Sequence, residues 1–505
     1  MRRTSAEWVN GVDRLGVNAV DSALVTATAP GVGSPRADAP VPVSPLLTVV
    51  VLCFGGLVAS LTQTMVIPIQ GDLALLLHTS EANASWVITA TLVAGAVVMP
   101  IAGRLGDMFG KQRVLVISAF LLLAGSAVCA MSSTLAPMLA GRLVQGLAMG
   151  FIPVGIALIR EVTPPRLTST AMAAMSATLG VGGAIGLPLA AWIAQDFDWH
   201  ALFWTATALA ALIVAAVALL VPHVKDAVGG RFDAAGAVGL AVGLVAVLVA
   251  VSKGNEWGWG HGRTLGLLAL GVVALLVWAT YELRVDDPLC DLRVTVRRPV
   301  LLTNLAAVAI GFGMMAQAIV VPRLLLSPAV TGYGLDQTLL ETGLWMAPGG
   351  VVMMVFSPLS GRMIRVLGAR ITLIVGAVVI GLGYVVAIFL MDAAWQLMVA
   401  TCIVSAGVGI GYAAMPFLIL EAVPLTEAGS AVGINSLMRS IGTSVSSAGM
   451  AAILTAATFD LGGYQVPEES TFRVCFLAGA LAAFLGAALA AAVPRRARST
   501  VPTNA

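Results

Sequence analysis

Apolar residues along this chain gather in long runs instead of alternating with polar ones, and short polar segments separate the runs. A helix crossing a hydrocarbon layer needs about 20 predominantly apolar residues, because every amide in lipid must pair within its own segment. Fourteen runs reach that length: 46–69, 85–103, 114–133, 135–159, 169–194, 201–222, 234–252, 264–282, 299–322, 340–360, 371–391, 395–418, 430–455 and 474–493. Each is predicted as a membrane-spanning helix, which makes the chain all-α and integral to a bilayer. Residues 1–45 are rich in Pro, Gly, Ala and Ser, with Arg2 and Arg3 but no apolar stretch behind them. They do not read as a secretion signal and are expected to form a disordered tail.

Composition narrows the partners. Of 505 residues, 59% are hydrophobic and 10% charged, against about 45–50% and 25% in soluble domains. A net charge of +2 gives no basic surface for nucleic acid. Four of the five cysteines (Cys53, Cys129, Cys402, Cys475) lie inside apolar runs, and the four histidines are scattered over separate loops. Neither a disulfide scaffold nor a metal site is indicated, and no nucleophile constellation marks an enzyme. Twenty-four arginines against three lysines, with abundant Ala, Val and Gly, point to a GC-rich bacterial source.

Cationic loops resist translocation, so their distribution sets orientation. With the amino terminus inside, 21 of the 27 Lys and Arg fall in inner loops and tails. Lys253, Arg263, Arg323 and Arg473 fall in outer loops, while Arg142 and Arg439 lie within spans. A multi-pass protein of the bacterial inner membrane is expected, with both termini cytoplasmic.

The chain also echoes itself. GRLGDMFGKQR at 103–113 returns as GRMIRVLGAR at 361–370, each in a short inner loop directly after a span. Both copies follow the second helix of their half if spans nine to fourteen repeat spans one to six. The expected organisation is a cytoplasmic tail (1–45), a six-helix bundle (46–222), a linker with two inserted spans (223–298), a second six-helix bundle (299–493) and a cytoplasmic tail (494–505). Parallel repeats of this kind are a recurring transporter design, with the substrate site between the halves near the midplane.

Gly103, Asp107, Gly110, Lys111 and Arg113 resemble the signature loop of the major facilitator superfamily in residue type, spacing and location. Arg142, Gln145 and Gly146 resemble the family's R-x-x-Q-G motif in span four. The GVGGAIGLPLAAW stretch of span five, with Gly182, Gly183, Gly186 and Pro188, is similar to the antiporter motif, although Leu187 separates Gly186 from Pro188. DWHALFW resembles the W-R-x-x-F that opens span six, with His200 in the arginine place. The count of fourteen, the FDAAG start of span seven and the NEWGW after it resemble the fourteen-span drug:proton antiporter branch. The likeness covers about residues 46 to 493. It implies a major facilitator fold of two pseudo-symmetric six-helix bundles plus two inserted helices. It also implies a transporter that exports drugs or secondary metabolites, hydrophobic or amphiphilic small molecules, by alternating access with proton antiport. No cofactor beyond a proton gradient is expected, the substrate and the lipid bilayer are the partners, and a monomer is anticipated. The rival is uptake or facilitated diffusion of a single metabolite.

One departure bears on mechanism. Members of the branch carry an aspartate in the first span, where this chain reads LTQTMV, with Thr62 in the acid's place and Gln63 beside it. No acid falls at mid-span, so a peripheral one such as Glu341, or no proton at all, is left for coupling. A neutral or anionic amphiphile is then expected over a dicationic dye.

Ionisable groups in mid-membrane are costly. Arg142 either snorkels to the outer interface or is held in a cavity by Gln63 and Gln145, and the R-x-x-Q-G resemblance favours the second reading. Asn435, Arg439 and Thr443 recur at i, i+4 and i+8, which gives span thirteen a polar face away from lipid, and Arg439 is assigned a water-accessible lining role. Asp107 is expected to accept hydrogen bonds from the start of a neighbouring inner helix and so latch the inner side shut. The alternative is plain charge balance with Arg104 or Arg113. The span-five glycines are expected to allow close packing.

Overall fold

The computed structural model describes residues 44–223, 231–461 and 464–494. The expected disordered tail, apart from its last residues, lies outside this set, as do the middle of the connector after span six and the carboxyl-terminal tail from 495.

Among the described residues fourteen long helices follow in chain order: α1 (Pro45–Thr64), α2 (Glu81–Phe109), α3 (Lys111–Ala130), α4 (Leu135–Val162), α5 (Pro165–Asp196), α6 (His200–Leu220) and α7 (Ala234–Trp257) come first. The rest are α8 (Gly262–Glu282), α9 (Arg298–Leu326), α10 (Leu339–Leu367), α11 (Ala369–Phe389), α12 (Ala394–Ala422), α13 (Ala428–Ala456) and α14 (Glu469–Ala492). By length and composition, thirteen of them can cross a membrane. The exception, α13, carries six serines, Asn435 and Arg439.

Several boundaries differ from the apolar runs. The first helix stops at Thr64 instead of 69, because Ile67 precedes Pro68 and a residue before proline disfavours the helical conformation. The second runs on to Phe109, so Asp107 is helical and the predicted signature loop shrinks to one residue, Gly110, with φ +99°. Gly368, at φ +86°, forms the same corner in the second copy. α7 continues past 252 to Trp257, so Lys253, expected in an outer loop, is buried at 1% exposure. The chain is not purely helical either. A two-stranded antiparallel hairpin, β1 (Thr458–Leu461) and β2 (Tyr464–Pro467), joins α13 to α14.

Packing repeats with the same offset as the sequence echo. In the first half α1 packs on α5 and α6, α3 on α4 and α6, and α2 on α4. In the second half α9 packs on α13 and α14, α11 on α12 and α14, and α10 on α12, which are the same partners moved on by eight helices. The halves join along two seams, α5 against α10 and α2 against α13, which the same shift exchanges. Even the irregularities correspond. α4 is broken by a 3-10 stretch at Ala148–Gly150, and α12 by a turn at Tyr412 and Ala413.

α7 and α8 pair with each other, and α7 lies against both α2 and α13. Lys253 Nζ donates to Glu256 Oε2 at 2.8 Å and to Ala82 O at 3.2 Å, and stands over the Trp86 ring at 4.8 Å. Asn255 Nδ2 donates to Ala448 O of α13 at 2.9 Å. The inserted pair is thus fastened to both halves.

Candidate functional site

The polar contacts between the halves gather at the end of the bundle that holds most of the cations. α2 and α13 close to backbone contact there: a Cβ on Gly103 would come within 2.1 Å of Gly429 O, and one on Gly433 within 2.5 Å of Met99 O. Glycine at 103, 429 and 433 is what this approach requires. Asp107, 2% exposed, then meets the first turn of α13 end-on. Its Oδ1 accepts Gly429 N–H at 3.0 Å and its Oδ2 accepts Ser430 N–H at 2.9 Å. Those amides have no partner within their own helix, and the positive end of the dipole favours a carboxylate. Lys111 Nζ supplies the counter-charge, 3.0 Å from Asp107 Oδ1 and 2.6 Å from Glu161 Oε1 on α4. The partners are therefore backbone amides and Lys111, while Arg113 is exposed.

The pseudo-symmetric position carries the opposite charge. Arg365 Nη1 donates to Arg166 O and Thr170 Oγ1, each at 3.1 Å, at the start of α5. Ser169 Oγ donates to Gly361 O at 3.1 Å, and a Cβ on Gly361 would lie 2.7 Å from Thr170 Cα. Beside the α2–α13 contact lies a cavity of about 180 Å³, lined by Arg104, Asp287, Asp291, Asn304 and Glu427 among others. Burial, and next the neighbouring Asp291, hold the Glu427 carboxyl above its ordinary value, while Arg104 and Arg297 pull it back.

Two guanidiniums are buried in the helical body. Arg142, 2% exposed, donates Nε–H to Val87 O at 3.0 Å and Nη1–H to Gln145 Oε1 at 2.8 Å. Gln145 in turn donates to Ser126 Oγ at 2.8 Å, and Thr91 Oγ1 donates to Arg142 O at 3.0 Å. The network ties α4 to α2 and α3 and rules out snorkelling. The Val87 carbonyl takes the place expected for Gln63, a partner that no side-chain pattern could have suggested. Arg439, 7% exposed, stacks on the Tyr412 ring at 4.4 Å. It is packed against α12 and beside Gly311 of α9, not set in open water. Asn435 Nδ2 donates to Asn304 Oδ1 at 3.0 Å, a buried amide pair between α13 and α9. Among the described residues neither guanidinium has a carboxylate partner.

The remaining candidates have local roles. Thr62, buried, donates to Ala59 O of its own helix at 2.9 Å. Gly182 and Gly186 fit against Ser60 and Thr64 of α1, Gly183 stands next to Thr64 at 3.9 Å from a built Cβ, and Pro188 faces Gly343 of α10. Glu341 is exposed and completes a capping box, its Oε2 accepting Thr338 N–H at 2.8 Å and Thr338 Oγ1–H at 2.9 Å. The signal [ST]-x-x-E before an apolar run was present in the sequence at 338–341.

The sequence profile described as the Major Facilitator Superfamily matches residues 52–447. The chain belongs to the major facilitator superfamily. It is a multi-pass membrane transporter and not an enzyme. The multidrug transporter protein MdtP of Bacillus subtilis (strain 168) is 24% identical over 82% of this chain and 75% of its own. YhcA of the same strain, described as an uncharacterized MFS-type transporter, is 25% identical over 66% of this chain, which spans 62% of that relative's length. The crystal structure of the human organic anion transporter MFSD10 superposes with a TM-score of 0.62 at 15% identity, covering 88% of this chain and 99% of the other. At that identity the likeness is one of fold.

Proposed function

We propose that this transporter exports hydrophobic or amphiphilic small molecules by alternating access, in exchange for protons, from a cytoplasm that holds its cation-rich end and both termini. The observation that carries the reading is the polar closure of that end. Asp107 binds α13 across one seam and Arg365 binds α5 across the other, and every one of these bonds joins opposite halves. Such contacts hold one state and break when the halves rock apart. The multidrug name of MdtP supports the substrate class. Arg142 and Arg439, buried without a carboxylate partner among the described residues, make the interior electropositive, so a neutral or anionic amphiphile is favoured over a dicationic dye. Thr62 gives the second reading its weight: with a hydroxyl in place of the first-span acid, facilitated movement of a single metabolite follows.

The test is reconstitution in liposomes containing a pH-sensitive dye. On the first reading, the anionic fluorophore 1-anilinonaphthalene-8-sulfonate moves through the protein while protons move the opposite way, and a bis-cationic dye moves at least tenfold more slowly. Equal rates for both dyes, or flux with no pH change, would sink it.

A further inference from the structure

With no acid in the first span, carboxyl groups elsewhere become informative, and one pair, Glu282 buried and Asp233 half-buried, stands at the foot of the inserted helices. Asp233 precedes α7, and its Oδ1 accepts Gly236 N–H at 2.8 Å and the Tyr281 hydroxyl at 3.0 Å. Glu282, the last residue of α8 and 2% exposed, accepts Cys290 N–H through Oε1 at 2.6 Å. The other oxygen of each, Asp233 Oδ2 and Glu282 Oε2, is buried and has no hydrogen-bond donor among the described residues. Both converge on one point: a Cβ on Gly236 would lie 2.2 Å from Asp233 Oδ2 and 2.8 Å from Glu282 Oε2.

Two ionised carboxylates are strongly disfavoured with these two oxygens facing each other shielded from water, because the repulsion is poorly screened there and both acceptors lose their hydration. One proton between them supplies the missing donor and removes one charge. Among the described residues the neighbouring side chains offer no other source, and the Leu289 amide, which also acts on Glu282, gives no titratable proton. Tyr281 already gives its proton to Asp233 Oδ1. Cys290 is buried, its thiol pushed up to about 12, and it offers its backbone amide. Arg104 of α2 acts on Cys290 and on Glu427 without bonding to the pair. Asp287, Asp291 and Glu427 line the adjoining cavity and add negative charge.

We propose that Asp233 and Glu282 hold one shared proton while the cation-rich end is closed, and release it from that end when the end opens. This rests on the antiport reading and gives the proton a site. The link to opening is short. Glu282 holds Cys290, the preceding Leu289 O accepts Ser430 Oγ–H at 3.2 Å, and Ser430 N–H donates to Asp107. Opening between α2 and α13 breaks the last bond, loosens the segment around 289–290 and lets water reach Glu282. The protonated carboxyl then passes its proton to water, leaving two hydrated carboxylates. Protons leaving at the cytoplasmic end is the direction an exporter driven by an inward gradient requires.

Infrared spectroscopy of the purified full chain at pH 7 tests this directly. The expected result is a protonated-carboxyl absorption that Glu282→Gln and Asp233→Asn each abolish. Adding 1-anilinonaphthalene-8-sulfonate should also release protons from the wild type and at least tenfold fewer from either variant. If one variant fails to fold, the other and the wild-type spectrum still decide. No protonated carboxyl in the wild type, or a band unchanged in both variants, overturns the shared proton and leaves antiport standing. A band that behaves as expected in a wild type whose liposomes show no pH change during dye flux overturns antiport and the release step with it.

Discussion

Asp107 and Ser430 stand 323 positions apart in the chain and are joined by a 2.9 Å hydrogen bond, the acid at the end of α2 and the amide in the first turn of α13. Hydrogen bonds to a charged group contribute about 1.5–3 kcal/mol. Asp107→Asn removes the charge, and the loss of only 1.4 kcal/mol would shift the open-to-closed ratio about tenfold. Spin labels on exposed Arg113 and Val366, in a background without the native cysteines, should show the longer distance populated at least tenfold more in the variant. An unchanged distance distribution would remove Asp107 from the closure.

Arg142 offers a stability test. Lysine carries charge but lacks the planar fork that reaches Val87 O and Gln145 Oε1 together. Arg142→Lys should cost about 2–3 kcal/mol, read as a fall of several degrees in thermal unfolding of the purified protein. A wild-type melting curve would show that the network adds nothing.

Glu341 separates a cap from a coupling acid. Glutamine serves in a capping box as well as glutamate does, so Glu341→Gln should keep both transport and stability, while Glu341→Ala should lower the melting temperature slightly and leave transport unchanged. Loss of proton-linked flux in Glu341→Gln would return this residue to the proton pathway.

Glu427 predicts a dependence on pH. A carboxyl held above its ordinary value of 4.5 in the folded chain binds its proton more readily there than when unfolded. Its contribution is therefore most favourable below 4.5 and declines as pH rises through the raised value. Glu427→Gln should melt higher than the wild type at pH 8 and at the same temperature at pH 4. The reverse order at pH 8 would contradict the stated environment.

Much of the architecture was legible because lipid imposes a one-dimensional rule: long apolar runs must be helices, and the runs and the 103–113 echo mark the repeat. α13 shows how far the rule stretches, since it is a full-length helix despite its serines and Arg439. The hairpin was missed because four-residue strands leave no period to read. Site chemistry was legible where a side chain acts on a helix start, as at Asp107. It was hidden where the partner is a carbonyl, as with Arg142 and Val87, or where two acids 49 positions apart meet only after α7 and α8 pair.

The position of α7 has a further consequence. Lying across the joint between α2 and α13, it screens that flank from the surrounding lipid, as a strip seals a window frame. Among the described residues, the joint between α5 and α10 has no such cover. The described helices thus leave one seam covered and the other bare, and the bare one lies on the face away from the extra pair.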